Sequence, residues 1–247
     1  MPFIAIRDIS KAYGALPVIN HLSLDVEEHQ VVSIIGPSGS GKSTLLRCIN
    51  GLEAIGDGEI LIHGDRISGP GVDVNALRRD IGIVFQGYNL FPHMSVLGNV
   101  TLAPIKVLKL SKTAAEERAM ALLTRFGLAD KAKEYPDRLS GGQQQRAAIV
   151  RALAMDPMVL LLDEITSALD PELVSDVLSI VRKLADDGMT MLLATHEMGF
   201  AREVSSKVCF LCDGAVHEEG PPEQIFGAPA RERTRAFLRS IKGARRI

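Results

Sequence analysis

The sequence contains no tryptophan, and aromatic residues fill only 4% of its 247 positions. That scarcity argues against a surface of stacked rings of the kind single-strand nucleic-acid binders use. Positive charge is not in excess: 28 Lys and Arg stand against 30 Asp and Glu, a formal net charge of -2. No global basic field recommends DNA or RNA as a partner, so none is expected. Cysteine is scarce, with three in all at Cys48, Cys209 and Cys212. Three cannot all pair within one chain, which points to a reducing compartment. Long apolar runs are also missing: no stretch reaches the ~18 consecutive apolar residues of a membrane span. Arg7, Asp8 and Lys11 interrupt the start where a secretion signal would be apolar. The expectation is a cytoplasmic chain that neither spans nor crosses a membrane.

What is present describes an ordinary folded protein, 46% hydrophobic and 23% charged, long enough for one large domain or two small ones. Period-two alternation marks Phe3 to Ile9, Leu22 to Val26 and Glu59 to His63 as half-buried antiparallel strands. Four other runs, Val31 to Ile35, Ile81 to Phe85, Met158 to Leu162 and Met189 to Ala194, are apolar on both faces and suit a parallel sheet covered by helices. Each ends in a polar or glycine-rich segment: Gly36-Pro37-Ser38, Gln86, Asp163-Glu164 and Thr195-His196. Ligands bind at the carboxyl ends of such strands, so these four endings outline one site. Helical spacing through Ala114 to Leu123 and Gln143 to Met155 predicts an inserted helical lobe, and Asp213-Gly214 between apolar arms predicts a hairpin. The fold class is thus α/β, with a mostly parallel core sheet, an N-terminal antiparallel β subdomain and the helical lobe.

The segment Gly36-Pro37-Ser38-Gly39-Ser40-Gly41-Lys42-Ser43 follows an apolar strand and precedes the helix-like Thr44 to Ile49, the context a phosphate loop requires. Gly39 and Gly41 let the backbone turn its N–H groups inward, the helix N-terminus adds partial positive charge, and Lys42 adds a full one. Together they cradle β- and γ-phosphates, and Ser43 offers its hydroxyl to Mg²⁺. Asp163 and Glu164 close an apolar strand with adjacent carboxylates that diverge. Asp163 is the natural partner of the metal through water, and Glu164 the natural base for an attacking water. Leu139-Ser140-Gly141-Gly142-Gln143 opens a second helix and builds a second anion cradle, with Ser140 and the Gly141 and Gly142 amides free to donate. One nucleotide does not need two such cradles from one molecule.

With these motifs in this order, the chain resembles the nucleotide-binding subunits of ABC transporters over nearly its whole length, and specifically those of polar amino-acid importers. The resemblance implies a P-loop ATPase using ATP and Mg²⁺, a single domain over residues 3–241, with core about 1–87 and 157–220 and helical lobe about 88–156. It implies Tyr13 stacked on adenine, and Gly36, Ser38, Gly39, Ser40, Gly41, Lys42, Ser43 and Thr44 around the phosphates. Ser140, Gly141, Gly142, Gln143 and Asp170 would come from a second copy docked head to tail. Catalysis would rest on Glu164, His196 and Gln86, and the metal on Ser43, Gln86 and Asp163. Further implied partners are two transmembrane permease subunits, met around Gln86 to Asn99, and indirectly a solute-binding protein. The expected place is the cytoplasmic face of the inner membrane, as a peripheral subunit.

A soluble ABC-type ATPase acting on DNA or ribosomes is the alternative; such relatives carry a long coiled coil or two fused halves, for which 247 residues leave no room. Two positions depart from the family pattern. Ile165 stands where proline usually follows the catalytic glutamate, which would loosen the stretch from Glu164 to Asp170, and Gly87 adds freedom at a hinge. Cys209 and Cys212 lie three apart in a strand and face opposite sides, so they read as structural. Five histidines, His21, His29, His63, His93 and His217, read as surface or structural. The end, 221–247, reads as a basic helical tail carrying Arg233, Arg235, Arg239, Lys242, Arg245 and Arg246, a solvated face or a contact to anionic lipid.

Overall fold

The computed structural model describes residues 1–244. Arg245 and Arg246 of the basic tail, and the side chain of Lys242, lie outside the described part. Two sheets form the molecule. The first is antiparallel, ordered β2-β1-β4-β5, from β1 (Ile4–Tyr13), β2 (Leu16–Val26), β4 (Asp57–Ile62) and the short β5 (Asp65–Arg66). The second has β3 (Val31–Ile35), β6 (Ile81–Val84), β7 (Val159–Asp163), β8 (Thr190–Ala194), β9 (Lys207–Cys212) and β10 (Ala215–Gly220) in the order β10-β9-β3-β8-β7-β6. All its pairings are parallel except the β9–β10 hairpin. The arm of that hairpin beginning at Lys207 is therefore a fifth parallel strand, beside β3.

Residues buried on both faces explain why these strands read as continuous apolar runs. Leu160, Leu162, Met191 and Leu193 enter one core, while Val159, Leu161, Leu192 and Ala194 enter another on the opposite face. The first core is continuous with the helical lobe, α3 (Val96–Lys106), α4 (Lys112–Arg125) and α5 (Gly141–Leu153), through Val100, Leu123, Ala147 and Val150. It also takes in Val177 and Val181 of α6 (Pro171–Asp186). The second core lies under the antiparallel sheet and α1 (Lys42–Ile49), joined by Leu77 of α2 (Val74–Asp80). A third, around Phe210 and Ile225, seats α7 (Met198–Val204), α8 (Pro222–Gly227) and α9 (Glu232–Ala244). Cys209 and Cys212 fall in different cores, on opposite faces of β9 as their spacing predicts. Burial pushes the Cys209 and Cys48 thiols up to about 12, so both are inert at neutral pH.

The tail is less basic in effect than in composition. Arg233 pairs with Asp213 at 2.6 Å, and Arg235 and Arg239 share Glu232 at 2.9 and 2.6 Å. The Glu218 carboxylate, buried in β10, accepts the Ala230 and Arg231 N–H groups at 2.7 and 3.1 Å and so ties the approach to α9 onto the sheet. Each of the five histidines set aside above has a structural partner, as His29 has in the Gly188 carbonyl and His63 in the Phe3 ring. Among the described residues no helix is long and apolar enough to cross a membrane.

Candidate active site

Because β6, β7, β8 and β3 are parallel neighbours, their carboxyl ends lie in a row and bring Gln86, Glu164, His196 and Gly36 to one edge of the sheet. The loop from Gly36 to Gly41 joins β3 to α1 and owes its path to two glycines. A side chain at Gly36 would place Cβ 2.0 Å from the Leu211 carbonyl oxygen of β9. Gly41, at φ 102°, caps α1 in a conformation that L side chains rarely adopt and lies against the Val18 carbonyl. Ser38 is exposed and Thr44 half-buried, while Ser40 is buried with a hydroxyl that finds no partner among the described residues.

Lys42 is buried and donates to the Gly36 and Pro37 carbonyls at 3.0 and 3.1 Å, with Glu164 Oε1 3.6 Å away. Burial pulls its ammonium below the usual lysine pKa, while the Glu164 and Asp163 charges pull the other way. The Ser43 hydroxyl donates to Asp163 Oδ1 at 2.6 Å. Burial raises the Asp163 carboxyl, opposed by that hydrogen bond and by the Arg47 charge.

Directly after β7 the chain turns sharply at Glu164, whose φ is 49°. Its N–H still bonds the Ala194 carbonyl of β8 at 2.9 Å, so the turn stays attached to the sheet while the side chain swings to the site. There Oε1 meets His196 Nε2 at 3.1 Å. Ser167 closes the turn from below, both its N–H and its hydroxyl donating to the Glu164 carbonyl at 3.1 and 2.7 Å. Ile165 is buried in the core of the helical lobe and Thr166 is buried beside it. Ile165 thus gives the stretch after Glu164 an apolar anchor.

The second cradle is an N-terminal capping box. Ser140 Oγ accepts the Gln143 N–H at 3.3 Å and Gln143 Oε1 accepts the Ser140 N–H at 2.9 Å, the reciprocal pair that fixes the start of α5. Gln143 is therefore a capping residue as well as a candidate contact. Gly141 lies under the Tyr88 hydroxyl: a Cβ there would be 2.9 Å from it, so the tyrosine tip would have to shift. Asp170 precedes α6 as an exposed cap residue without a side-chain capping bond. Tyr13, 43% exposed at the end of β1, holds its ring under the Lys11 ammonium at 4.9 Å, and its strand partner Leu16 is two residues from the Val18 that touches the phosphate loop.

Gln86, two residues past the end of β6, is exposed. The backbone peculiarity lies not at Gly87, whose φ is not positive and where a Cβ would find ordinary space, but at Tyr88 and Asn89, with φ 57° and 53°. Asn99 proves to be a buried organiser, accepting the Phe91 N–H at 2.7 Å and donating to the Phe91, Met94 and Ser95 carbonyls. It leaves Phe91 exposed at the rim. Sequence reasoning missed Tyr88 and Arg151. The available signal was a charge at Arg151 within the apolar helical pattern of Ala147, Val150 and Ala154.

The residues present fit an anionic polyphosphate and a hard divalent cation. A buried ammonium and the Ser40 hydroxyl, which finds no partner among the described residues, suit the anion, and a serine oxygen 2.6 Å from a carboxylate suits an oxygen-liganded ion. Residues 19–167 match the family model described as ABC transporter. A glutamine transport ATP-binding protein of Geobacillus stearothermophilus is 52% identical over 235 residues, 95% of this chain and 97% of that one. The glutamate/aspartate import ATP-binding protein of Escherichia coli K12 is 48% identical, with 96% and 99% covered. A solved dimeric ATP-binding cassette, MJ0796 in a post-hydrolysis state bound to ADP and phosphate, superposes with a TM-score of 0.80 at 34% identity, covering 89% of this chain and 98% of that one. On this fold, this site and these likenesses, the chain belongs to the ABC transporter family.

Proposed function

We propose that the chain is the ATP-hydrolysing subunit of a membrane importer for a polar amino acid or a related small polar solute. The observation that carries the reading is the convergence of Lys42, Ser43, Asp163, Glu164 and His196 within direct contact at one sheet edge. Lys42, now shared among two carbonyls and Glu164, exchanges them for the β- and γ-phosphates, joined by the loop amides. Ser43 and Asp163 would hold Mg²⁺, with Gln86 reaching the same ion or the attacking water; the ion, when bound, offsets charge on the phosphate oxygens. Glu164 takes the proton of the attacking water, and His196, on the same carboxylate oxygen, fixes the direction in which that carboxylate points. The Tyr13 ring offers its exposed face to adenine.

Ser140, Gly141, Gly142, Gln143 and Asp170 complete the site of a second copy docked head to tail, which gives the surplus cradle a purpose. Two permease subunits bind near Gln86 and the exposed Phe91, and a solute-binding protein delivers cargo to them, with this chain on the cytoplasmic face of the cell membrane. Relatives of near-equal identity carry names for glutamine, arginine and glutamate/aspartate transport, and the class common to them is the polar amino acid. Nothing in charge or likeness favours action on DNA or ribosomes. The test is uptake of a panel of labelled amino acids by a deletion strain of the source organism, complemented by the parent chain or by Lys42→Ala. Loss of uptake of one polar class, restored by the parent alone, is expected; unchanged uptake across the panel would overturn the reading.

A further inference from the structure

Cys209 and Cys212 cannot grip one ion together, since they fall on opposite faces of β9. Cys212 has other company. The hairpin closes with Cys212 opposite Ala215, and its register slips between Val216 and Glu218, which stand opposite Leu211 and Phe210. His217 is therefore the extra residue of a β-bulge, a distortion that re-aims a side chain. Its ring lies 6.2 Å from that of Phe210, on the face of β9 that carries Phe210 and Cys212. Asp213 opens the turn at φ 51°. One ligating atom from each of Cys212, Asp213 and His217 lies within 4.8 Å of the other two. Cys212 Sγ and Asp213 Oδ1 are 3.7 Å apart, close to the ~3.5 Å that separates a sulfur from an oxygen on one tetrahedral zinc ion. The second carboxylate oxygen, Oδ2, meets Arg233 Nη2 at 2.6 Å, so the guanidinium holds the carboxylate from behind and leaves Oδ1 to the thiol.

We propose that Cys212, Asp213 and His217 form a binding site for a borderline divalent transition metal, zinc above all, with water as the fourth ligand. One thiolate, one imidazole nitrogen and one carboxylate oxygen make a donor set that suits zinc or cobalt and not Mg²⁺, which takes oxygen ligands. The site is thus distinct in chemistry as well as in place from Ser43 and Asp163, and it does not depend on the ATPase reading. Thiolate and carboxylate together offset the two charges of the ion, and the thiol proton leaves to water as the sulfur–metal bond forms. Cys212 is buried, His217 half-buried and Asp213 exposed, so the ion enters from the turn. The hairpin that carries the ligands abuts the phosphate loop. The Leu211 carbonyl lies against Gly36, and Gly214 packs on the Val18 carbonyl that also lies against Gly41. A bound ion fastens that hairpin turn in place.

The test is titration of the purified full-length chain with Co²⁺, whose thiolate-to-metal charge-transfer band reports cysteine ligation, followed by competition with Zn²⁺ and with Mg²⁺. One Co²⁺ per chain with that band, displaced by Zn²⁺ and not by excess Mg²⁺, is expected. Cys212→Ser should abolish the band, whereas Cys209→Ala should keep it. His217→Gln and Asp213→Asn, at less buried positions, should each weaken Zn²⁺ binding about tenfold or more, because even a partner outside the ligand set is worth about 10–100-fold. Asparagine also tolerates the left-handed turn at position 213, so that variant keeps the hairpin. Absence of a thiolate band in the parent chain, or a band that survives in Cys212→Ser, would overturn the proposal. If Cys212→Ser does not fold by circular dichroism, His217→Gln and Asp213→Asn decide, and parental Zn²⁺ affinity in both would refute the site.

Discussion

Replacing Glu164 by glutamine separates what this side chain does as a shape from what it does as a base. The amide keeps an Oε1 that can accept from His196 Nε2 at the present 3.1 Å, and the backbone turn is held by Ala194 and Ser167 through main-chain atoms the substitution does not touch. What disappears is the proton acceptor and one negative charge 3.6 Å from the Lys42 ammonium. A positioned general base contributes about 10²–10⁴-fold, or roughly 2.7–5.4 kcal/mol of barrier, and that is the expected loss in kcat. Affinity should move the other way or not at all. Lys42 keeps the Gly36 and Pro37 carbonyls as resting partners, and a carboxylate that would repel the γ-phosphate has gone. With ATP bound and uncleaved, the variant should accumulate as a closed dimer. Steady-state phosphate release, calorimetric ATP titration and size-exclusion chromatography with ATP read the three consequences. Turnover within about tenfold of the parent would remove Glu164 from the role of base. A collapse of ATP affinity would show that the carboxylate builds the site rather than acting in it.

Lys42→Ala deletes the one full positive charge of the cradle, and ATP binding should weaken by the ~1.5–3 kcal/mol of a charged hydrogen bond, about 10–200-fold, with hydrolysis lost; unchanged calorimetric affinity would refute the assignment. Ile165→Pro exchanges part of a buried apolar side chain, worth ~1 kcal/mol, for ~0.4–1 kcal/mol of chain entropy, so stability in urea should change by under ~1 kcal/mol and turnover by a few-fold. A hundredfold loss would mean that the Glu164 turn does not tolerate proline. Glu218→Ala strands the Ala230 and Arg231 N–H groups and should cost about 2–4 kcal/mol, read by urea unfolding. Burial opposes ionisation of Glu218, but the Ala230 and Arg231 N–H groups that its carboxylate accepts prevail and hold its pKa below the usual glutamate value. Its contribution is therefore present above the unfolded-state pKa and lost as pH falls through the folded one. A parent and a variant that lose stability equally on acidification would contradict this.

The parallel sheet was readable because burial on both faces leaves an unmistakable signature in five-residue runs such as Val159–Asp163 and Thr190–Ala194. The fifth parallel strand was harder. Lys207–Cys212 carries a hairpin turn at its far end, and local turn chemistry describes its partner β10 without revealing its other neighbour β3. That pairing joins residues far apart in sequence, and no short-range pattern encodes it. Yet it matters to the site, for the Leu211 carbonyl of β9 is what forbids a side chain at Gly36.

The groups that touch phosphate or proton were visible because chemistry restricts them to a few residue types at fixed spacings, as at Lys42, Ser43, Asp163 and Glu164. The groups that hold them in place are under no such restriction. Nothing in the letters around Tyr88 and Asn89 announces two left-handed residues, and a glycine one position earlier draws attention to the wrong place. Their carbonyls are met by Arg151 from 62 and 63 residues away, and an arginine on a helix is by itself ordinary. The same holds at Glu164, whose φ of 49° follows from the grip of Ala194 above and Ser167 below rather than from any propensity of glutamate. Sequence patterns report what a site must contain. Its backbone is bent into working shape by tertiary bonds to carbonyls, and any residue type presents a carbonyl.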